Sequence, residues 1–253
     1  MPDGREQPKY RVIADVLRAA ILDGTYPPGA QLPGENQLME DHKVARMTAR
    51  QALSVVISEG LATPRTGSGV YVREFRPVIR DGIARLGGAT WPAGRDIWSA
   101  DAANRELTVD QVQVTTTAAV PDHARALLGL SDDAVAVRRS RRFVLDGKPV
   151  LISVSWLQAS IAGGTRIEQA DTGPGGTYAR LAELGHAPAR FREDLRSRMP
   201  VADEAERLEL PPGTPVVEIT RTAYAADGTP VEVNEMTADS GSYIFRYDFD
   251  AAL

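Results

Sequence analysis

Arg46 and Arg50 lie four residues apart, with Thr48 and Gln51 between and beside them. On a helix that spacing sends both guanidinium groups out of one face. Such a face suits a DNA major groove: an arginine can donate two hydrogen bonds to one guanine, and Thr or Gln reaches phosphates or base edges. It equally suits a helix face that only meets water. Lys43, three residues upstream, adds a cation of the kind that pairs with phosphate. Further on, Arg65-Thr66-Gly67-Ser68-Gly69 makes a small, basic tip with little side-chain bulk. It can approach a backbone or a minor groove without obstruction, which favours the DNA reading over the solvated one. The candidate DNA-contacting residues are therefore Lys43, Arg46, Thr48, Arg50, Gln51, Arg65, Thr66, Gly67 and Ser68. A second group, Glu232, Asn234 and Glu235, can orient a ligand hydroxyl or amine, or can be solvated strand residues. Glu232 and Asn234 share one face of a strand, which makes them the better pair.

The elements that must hold the first group follow from periodicity. Ile13, Val16, Leu17, Ala20 and Ile21 recur at helical spacing from Tyr10 to Leu22, and Gly24 ends that helix. Tyr26-Pro27-Pro28-Gly29 is a loop, and Leu32-Pro33-Gly34 leads into a short helix over Glu35 to Asp41. A third helix, about Ala45 to Glu59, buries Ala49, Ala52, Leu53, Val56 and Ile57 opposite the arginines. Leu61 to Thr63 and Val70 to Val72 flank the glycine tip as a hairpin. Three helices and a hairpin predict a winged helix-turn-helix over residues 1–76. Residues 77–94, with Pro77, Gly82, Gly87-Gly88, Pro92 and Gly94, read as a linker.

The remainder, residues 95–253, reads as an α+β body, its first strand over Leu107 to Val120. It contains a near-repeat. Ala126, Leu130, Phe143, Asp146-Gly147 and Pro149-Val150 return as Ala205, Leu210, Tyr224, Asp227-Gly228 and Pro230-Val231, at offsets drifting from 79 to 81. Each unit reads as helix, strand, Asp-Gly hairpin and return strand, the dipeptide supplying the positive φ of a tight turn. Two units predict an antiparallel sheet with pseudo-twofold symmetry, covered by helices near 121–129, 176–185 and 201–208.

Composition narrows the chemistry. The chain has 253 residues, 43% hydrophobic and 25% charged, as in ordinary globular proteins. Cysteine is absent and three histidines are scattered, which excludes disulfides and thiolate chemistry and leaves no local metal motif. No cofactor or metal is expected. No apolar run is long enough for a membrane span, and Met1 to Glu6 is polar, so a cytoplasmic protein without membrane contact is expected. The net charge of −5 hides an asymmetry: residues 43–73 hold five cations against Glu59 alone. A basic module precedes an acidic body.

Residues 9–73 closely resemble the winged-helix domain of the GntR family of bacterial transcription regulators. The resemblance rests on Ile13 to Leu17, Ile21 to Gly24, Pro28-Gly29, Leu32-Pro33 with Glu35, Arg46-Met47-Thr48 with Arg50, Ala52-Leu53, Glu59-Gly60-Leu61 and Gly67 with Gly69. It implies that Arg46, Arg50 and Gly67 touch operator DNA. The chain departs from the family pattern at Gly34, usually Ser, and at Lys43-Val44-Ala45, usually Gly-Val-Ser. The body is similar to the UTRA effector domain of the HutC subfamily, whose fold resembles chorismate lyase. That likeness is carried by the Arg141 to Val150 hairpin, Leu208 to Gly213, Arg221, Asp227 to Glu232 and Tyr243 to Phe249. It implies a small polar or anionic effector and places Arg141, Ser155 and Glu232 at ligand-contacting positions. With Ser153 and Asn234 these make the expected effector contacts; Ser153 stands where many relatives have Glu, and Phe143 where some have a second Arg, which argues against a phosphosugar.

Arg138, Arg139, Arg141 and Arg142 alternate in side, so one pair points inward; any of them can instead belong to a charged edge strand. Glu193 and Arg192 are further candidates, and Trp91, Trp98 and Trp156 are read as packing residues. The expected function is a ligand-responsive regulator, a repressor, that binds a palindromic double-stranded operator as a homodimer. A lysine-bound pyridoxal phosphate body is excluded by chain length and by Lys148, in a hairpin turn, being the only lysine after Lys43. The alternatives are an architectural DNA-binding protein without an effector and an enzyme with a lyase-like body.

Overall fold

The computed structural model describes residues 7–74, 77–86 and 105–250. By internal contact the chain divides into two units, Met1–Arg76 with Leu210–Thr214, and Pro77–Glu209 with Pro215–Leu253. Trp91, Trp98 and the linker residues 87–94 lie outside the described residues. Among the described residues no helix is long and apolar enough to cross a membrane.

In the first unit, helices α1 (Lys9–Leu22), α2 (Glu35–His42) and α3 (Arg46–Ser58) precede strands β1 (Ala62–Arg65) and β2 (Gly69–Val72). Ile13, Ala14 and Leu17 of α1 meet Ala49, Ala52, Leu53 and Val56 of α3, and Leu32, Leu38, Ala62 and Val72 close the core. Truncating a residue such as Leu17 to Ala would cost about 2–5 kcal/mol, because the cavity cannot fully collapse. Lys43 ends α2 in the left-handed conformation at φ 51°. Neither Gly34 before α2 nor Ala45 before α3 offers a side-chain cap. The first N–H groups of α3 therefore look for partners outside the helix.

The body is one six-stranded antiparallel sheet. Its strands are β4 (Leu107–Thr117), β5 (Ala136–Leu145), β6 (Lys148–Gln158), β7 (Pro188–Arg198), β8 (Val216–Ala225) and β9 (Pro230–Asp239), in the spatial order β4-β5-β6-β9-β8-β7. That order is palindromic. Strand, helix, strand, strand occurs twice, with α4 (Asp122–Leu128) between β4 and β5 and α7 (Ala202–Arg207) between β7 and β8, so the repeat read from sequence is a structural one. Between the halves run α5 (Ala159–Ala162), a 3₁₀ turn at Arg166–Glu168 and α6 (Gly176–Glu183).

Three details depart from expectation. Residues 78–86, read as linker, form β3 (Val78–Asp81) and a 3₁₀ turn, and β3 pairs parallel with β10 (Tyr243–Arg246). Secondly, β5 is internal, paired with β4 and β6, so its arginines do not sit on an edge. The charged edge is β7, where Arg190, Arg192, Asp194 and Arg196 are exposed; such side chains resist edge-to-edge pairing. Finally, the two hairpin turns differ. Asp146 and Gly147 both have positive φ, the two-residue turn that matches strand twist, whereas only Gly228 does in the second.

Candidate functional site

In the first unit α3 presents Arg46, Met47, Arg50 and Gln51 to solvent, with Thr48 half-buried beneath them. Two residues at the start of α2 hold the arginines. Arg50 donates to Glu35 twice, Nε to Oε1 at 2.7 Å and Nη2 to Oε2 at 3.2 Å. Arg46 Nη2 donates to Asn36 Oδ1 at 2.9 Å, and its Nε lies 3.8 Å from Glu35. The hydrogen bonds from Arg50 hold the Glu35 carboxyl below its ordinary range. Sequence reading marked both arginines but gave neither acceptor a role, although Glu35 is one of the residues that carried the resemblance. Lys43 is exposed at the turn before α3. Arg65, Thr66, Gly67 and Ser68 form the exposed hairpin tip, with Gly67 at φ 71°. A bulky residue at 67 would therefore strain the turn as well as obstruct a DNA approach.

In the body, pairing register decides which side chains meet. Arg139 of β5 is opposite Ser155 of β6, Ser155 opposite Asn234 of β9, Asn234 opposite Arg221 of β8, and Arg221 opposite Glu193 of β7. Directly paired residues point to the same face, so these five make one polar row across five strands. The next row on one side holds Arg141, Ser153, Met236 and Ile219; the row on the other holds Val137, Leu157, Glu232 and Ala223. The five residues expected from sequence, Arg141, Ser153, Ser155, Glu232 and Asn234, thus share one face in three adjacent rows. Arg141 Nη2 donates to Ser155 Oγ at 3.1 Å, and Ser153 Oγ to Asn234 Oδ1 at 2.8 Å.

Apolar clusters flank the polar row. Ile167, Tyr178 and Leu181 pack with Val137, Leu157 and Ala223 on one side, while Val78 and Tyr243 pack with Phe143, Leu151, Ile219 and Met236 on the other. Arg80, Arg139 and Arg221 are each 1% exposed and Glu232 is 2%. Charges this deep are stable only when matched. Arg139 meets backbone carbonyls, Nη1 donating to Ile167 O and Nη2 to Ala170 O at 3.0 Å. Burial pulls its guanidinium down to about 10, and nearby Arg141 acts in the same direction, while Glu232 opposes both. Arg80, from β3, donates to both carboxylate oxygens of Glu193. Burial raises the Glu193 carboxyl, but Arg80, Arg221 and Arg85 outweigh it and leave it below its usual value. Tyr178 is pushed well up by burial, and it hydrogen-bonds Glu232. Glu232 Oε2, by contrast, is buried with no hydrogen-bond partner among the described residues. The row is rich in buried cations, a setting that suits an anion.

Arg192 and Glu235 do not belong to this face. Arg192 is exposed beside Asp194 at 3.4 Å. Glu235 accepts from Trp156 Nε1 at 2.7 Å and contacts His123 Nε2 at 2.6 Å on the side covered by α4. Trp156 packs there with Ala124, Leu128 and Val233, the packing role read from sequence. Arg142 also faces away and binds Asp110 through Nε at 2.8 Å and Nη2 at 2.7 Å. Arg139, Arg221 and Tyr178 were not among the expected contacts. The parity of β5 was the available signal for Arg139, because residues 139 and 141 must share a side. Among the described residues no group of His, Asp and Glu could hold a metal ion.

The comparisons with known proteins match this architecture part by part. Residues 9–72 match the model of the bacterial regulatory proteins of the gntR family, and residues 102–243 match the UTRA domain. An HTH-type transcriptional regulator of Streptomyces coelicolor is 32% identical over 249 residues, covering 96% of this chain and 93% of its own. The HTH-type transcriptional repressor NagR of Bacillus subtilis is 25% identical, with 96% and 95% covered. The crystal structure of PhnF from Mycobacterium smegmatis superposes with a TM-score of 0.59 at 22% identity, covering 95% of this chain and all of that one, which shows the shared fold. The relatives are transcription regulators, not enzymes. With a helix-turn-helix unit that exposes paired arginines and an antiparallel body built on a repeated hairpin, this chain belongs to the GntR family of transcription regulators, in the HutC subfamily that carries a UTRA domain.

Proposed function

We propose that the protein is a repressor that binds a palindromic operator as a homodimer and changes its DNA affinity when a small polar anion binds the body. The observation that carries the effector half is the polar row with its two neighbouring rows: Arg139, Arg141 and Arg221 beside Ser153, Ser155 and Asn234, with Glu232 Oε2 buried and, among the described residues, lacking a hydrogen-bond partner. A ligand that brings an anionic group towards the arginines and a hydroxyl or amine to Glu232 matches the charges on this face, which favours a hydroxylated acid or a zwitterion over an apolar compound. The DNA half rests on Arg46 and Arg50, supported by Thr48, Gln51 and Lys43, and by the tip at Arg65 to Ser68. Two protomers would place two such surfaces on successive half-sites. Response follows from linkage: a ligand preferring one state of the protein shifts operator affinity by its difference in affinity between states.

The test uses the full chain and a duplex selected from a random pool by the protein itself. Hydroxy acids, amino acids, organic acids and sugar phosphates are screened by thermal shift, since a ligand at 100 times its Kd adds about 2.7 kcal/mol to native-state stability. The hit is then titrated into the protein–duplex complex. The expected result is a stabilising anion or zwitterion that changes duplex affinity, with both effects lost in Arg141→Ala and Glu232→Ala. If both variants respond as the wild type does, the effector does not occupy this row.

A further inference from the structure

The hairpin tip holds an arrangement that its exposure does not require. The Arg65 guanidinium carbon stands 4.1 Å from the centroid of the Tyr71 ring. The Tyr71 hydroxyl lies 2.6 Å from Ser68 Oγ, so the same side chain reaches the tip's far side. Gln31, from the loop before α2, donates through Nε2 to the Ser68 backbone oxygen at 2.8 Å. That contact depends on Gly69, whose φ is 114° and where a Cβ would stand 2.9 Å from Gln31 Nε2. Tyr71 is itself fixed. Its strand is paired with β1 on one side, and on the other Leu32 N donates to Val70 O at 2.8 Å and Val72 N to Ala30 O at 2.8 Å. The loop 29–32 therefore acts as a third strand beside β2, and Tyr71 projects from the middle strand.

We infer that Tyr71 is a positioning residue for DNA binding: its ring holds Arg65 extended along the tip, in place to meet a phosphate or a minor groove, while Gln31 and Ser68 fix the turn beneath. An exposed arginine otherwise samples many rotamers, and ordering it on the DNA weakens binding. Stacking on an aromatic face orders the guanidinium beforehand yet leaves its N–H edge open to a partner. Lysine, with a compact hydrated ammonium and no planar group, gains much less from such a ring. The inference rests on the reading that the β1–β2 tip touches DNA, and the experiment separates the two.

Binding of the full chain is followed by fluorescence anisotropy over a salt series, on a 30-bp duplex of mixed sequence and on the duplex selected by the wild type. Arg65→Ala should weaken binding about tenfold on both, with a salt slope shallower by about one, the mark of one lost phosphate contact. Arg65→Lys should weaken it several-fold at an unchanged slope, because the charge remains and its support is lost. Tyr71→Leu should weaken it several-fold, Tyr71→Phe should stay within about twofold because the ring remains, and Arg65→Ala with Tyr71→Leu should lose no more than Arg65→Ala alone. Additive losses, or a wild-type affinity in Arg65→Lys, would overturn the positioning role. The second of these needs no change at Tyr71, so it holds even if Tyr71→Leu folds poorly. Wild-type affinity and slope in Arg65→Ala would remove the tip from the DNA interface altogether, and the inference with it.

Discussion

Glu35→Gln is the perturbation whose sign most directly tests the geometry of the DNA surface. In the free protein Glu35 accepts both hydrogen bonds from Arg50 and lies within 3.8 Å of Arg46, so one carboxylate offsets two arginines of α3. Side-chain exposures are 57% for Arg50 and 29% for Glu35. A pair this exposed is screened by solvent and contributes weakly. An arginine that turns from Glu35 to DNA gives up that contribution. Replacing the carboxylate by an isosteric amide removes the competition, which predicts a few-fold tighter binding to a mixed-sequence duplex. It also adds one unit of positive charge to the contact surface, so the salt slope should steepen by up to about one. Discrimination between the selected duplex and the mixed one should fall, because non-specific contacts gain most. Anisotropy on both duplexes from 50 to 300 mM salt gives all three quantities. The opposite result would refute the reasoning: if Glu35→Gln weakens the selected duplex about tenfold while the mixed duplex is unchanged, Glu35 aims Arg50 at a base rather than restraining it.

On the same surface, Arg46→Ala and Arg50→Ala should each cost about 1–3 kcal/mol on the selected duplex, the scale of a bidentate base contact. Lys43→Ala should weaken both duplexes equally with a salt slope shallower by about one; a loss confined to the selected duplex would contradict a phosphate role. Thr66→Glu, at an exposed tip position where φ is not positive, should weaken DNA binding by charge repulsion with little change in Tm; a large Tm drop instead would make the tip a structural element. In the body, Glu193→Gln should destabilise by about 3–5 kcal/mol at pH 7, because it leaves buried Arg80 without its carboxylate. Since the folded Glu193 carboxyl sits below its usual value, its contribution is present above about pH 4.3 and is lost as pH falls through the folded value. Urea unfolding should therefore show the variant and the wild type converging below pH 4, and a constant gap would contradict the pairing.

Local chemistry made the first unit legible. The spacing of Ile13, Leu17, Ala49, Leu53 and Val56 locates α1 and α3 within a residue or two, and Gly67-Ser68-Gly69 marks the turn that the backbone then adopts. The acceptors Glu35 and Asn36 were less visible, because they reach Arg46 and Arg50 across 10 and 15 residues of chain. In the body the repeat was readable since each half folds its own hairpin. Strand β3 was not, since its partner Tyr243–Arg246 lies more than 160 residues away and four residues show no period. Arg80 went unnoticed for the same reason, although it pairs with Glu193, the carboxylate of the polar row.

Register sets the remaining limit, and it explains why the row surfaced only in three dimensions. Both hairpins contain a bulge, at Phe143/Val144 in one and at Ala223/Tyr224 in the other. A one-residue shift changes which residue of the return strand stands opposite a given arginine. Counted outward from the Asp146-Gly147 turn without the bulge, Arg139 would face Val154; with it, Arg139 faces Ser155, and the apolar row becomes a polar one. The second bulge does the same for Arg221 and Asn234. The central pairing of Ser155 with Asn234 then joins the two halves, so that Arg139 and Arg221 stand symmetrically about the middle of the sheet. One bulged hairpin places one buried arginine beside one neutral partner, and duplication places two arginines around a centre that neither half forms alone. The polar row thus follows from the repeat and its two bulges together, rather than from any short motif along the chain.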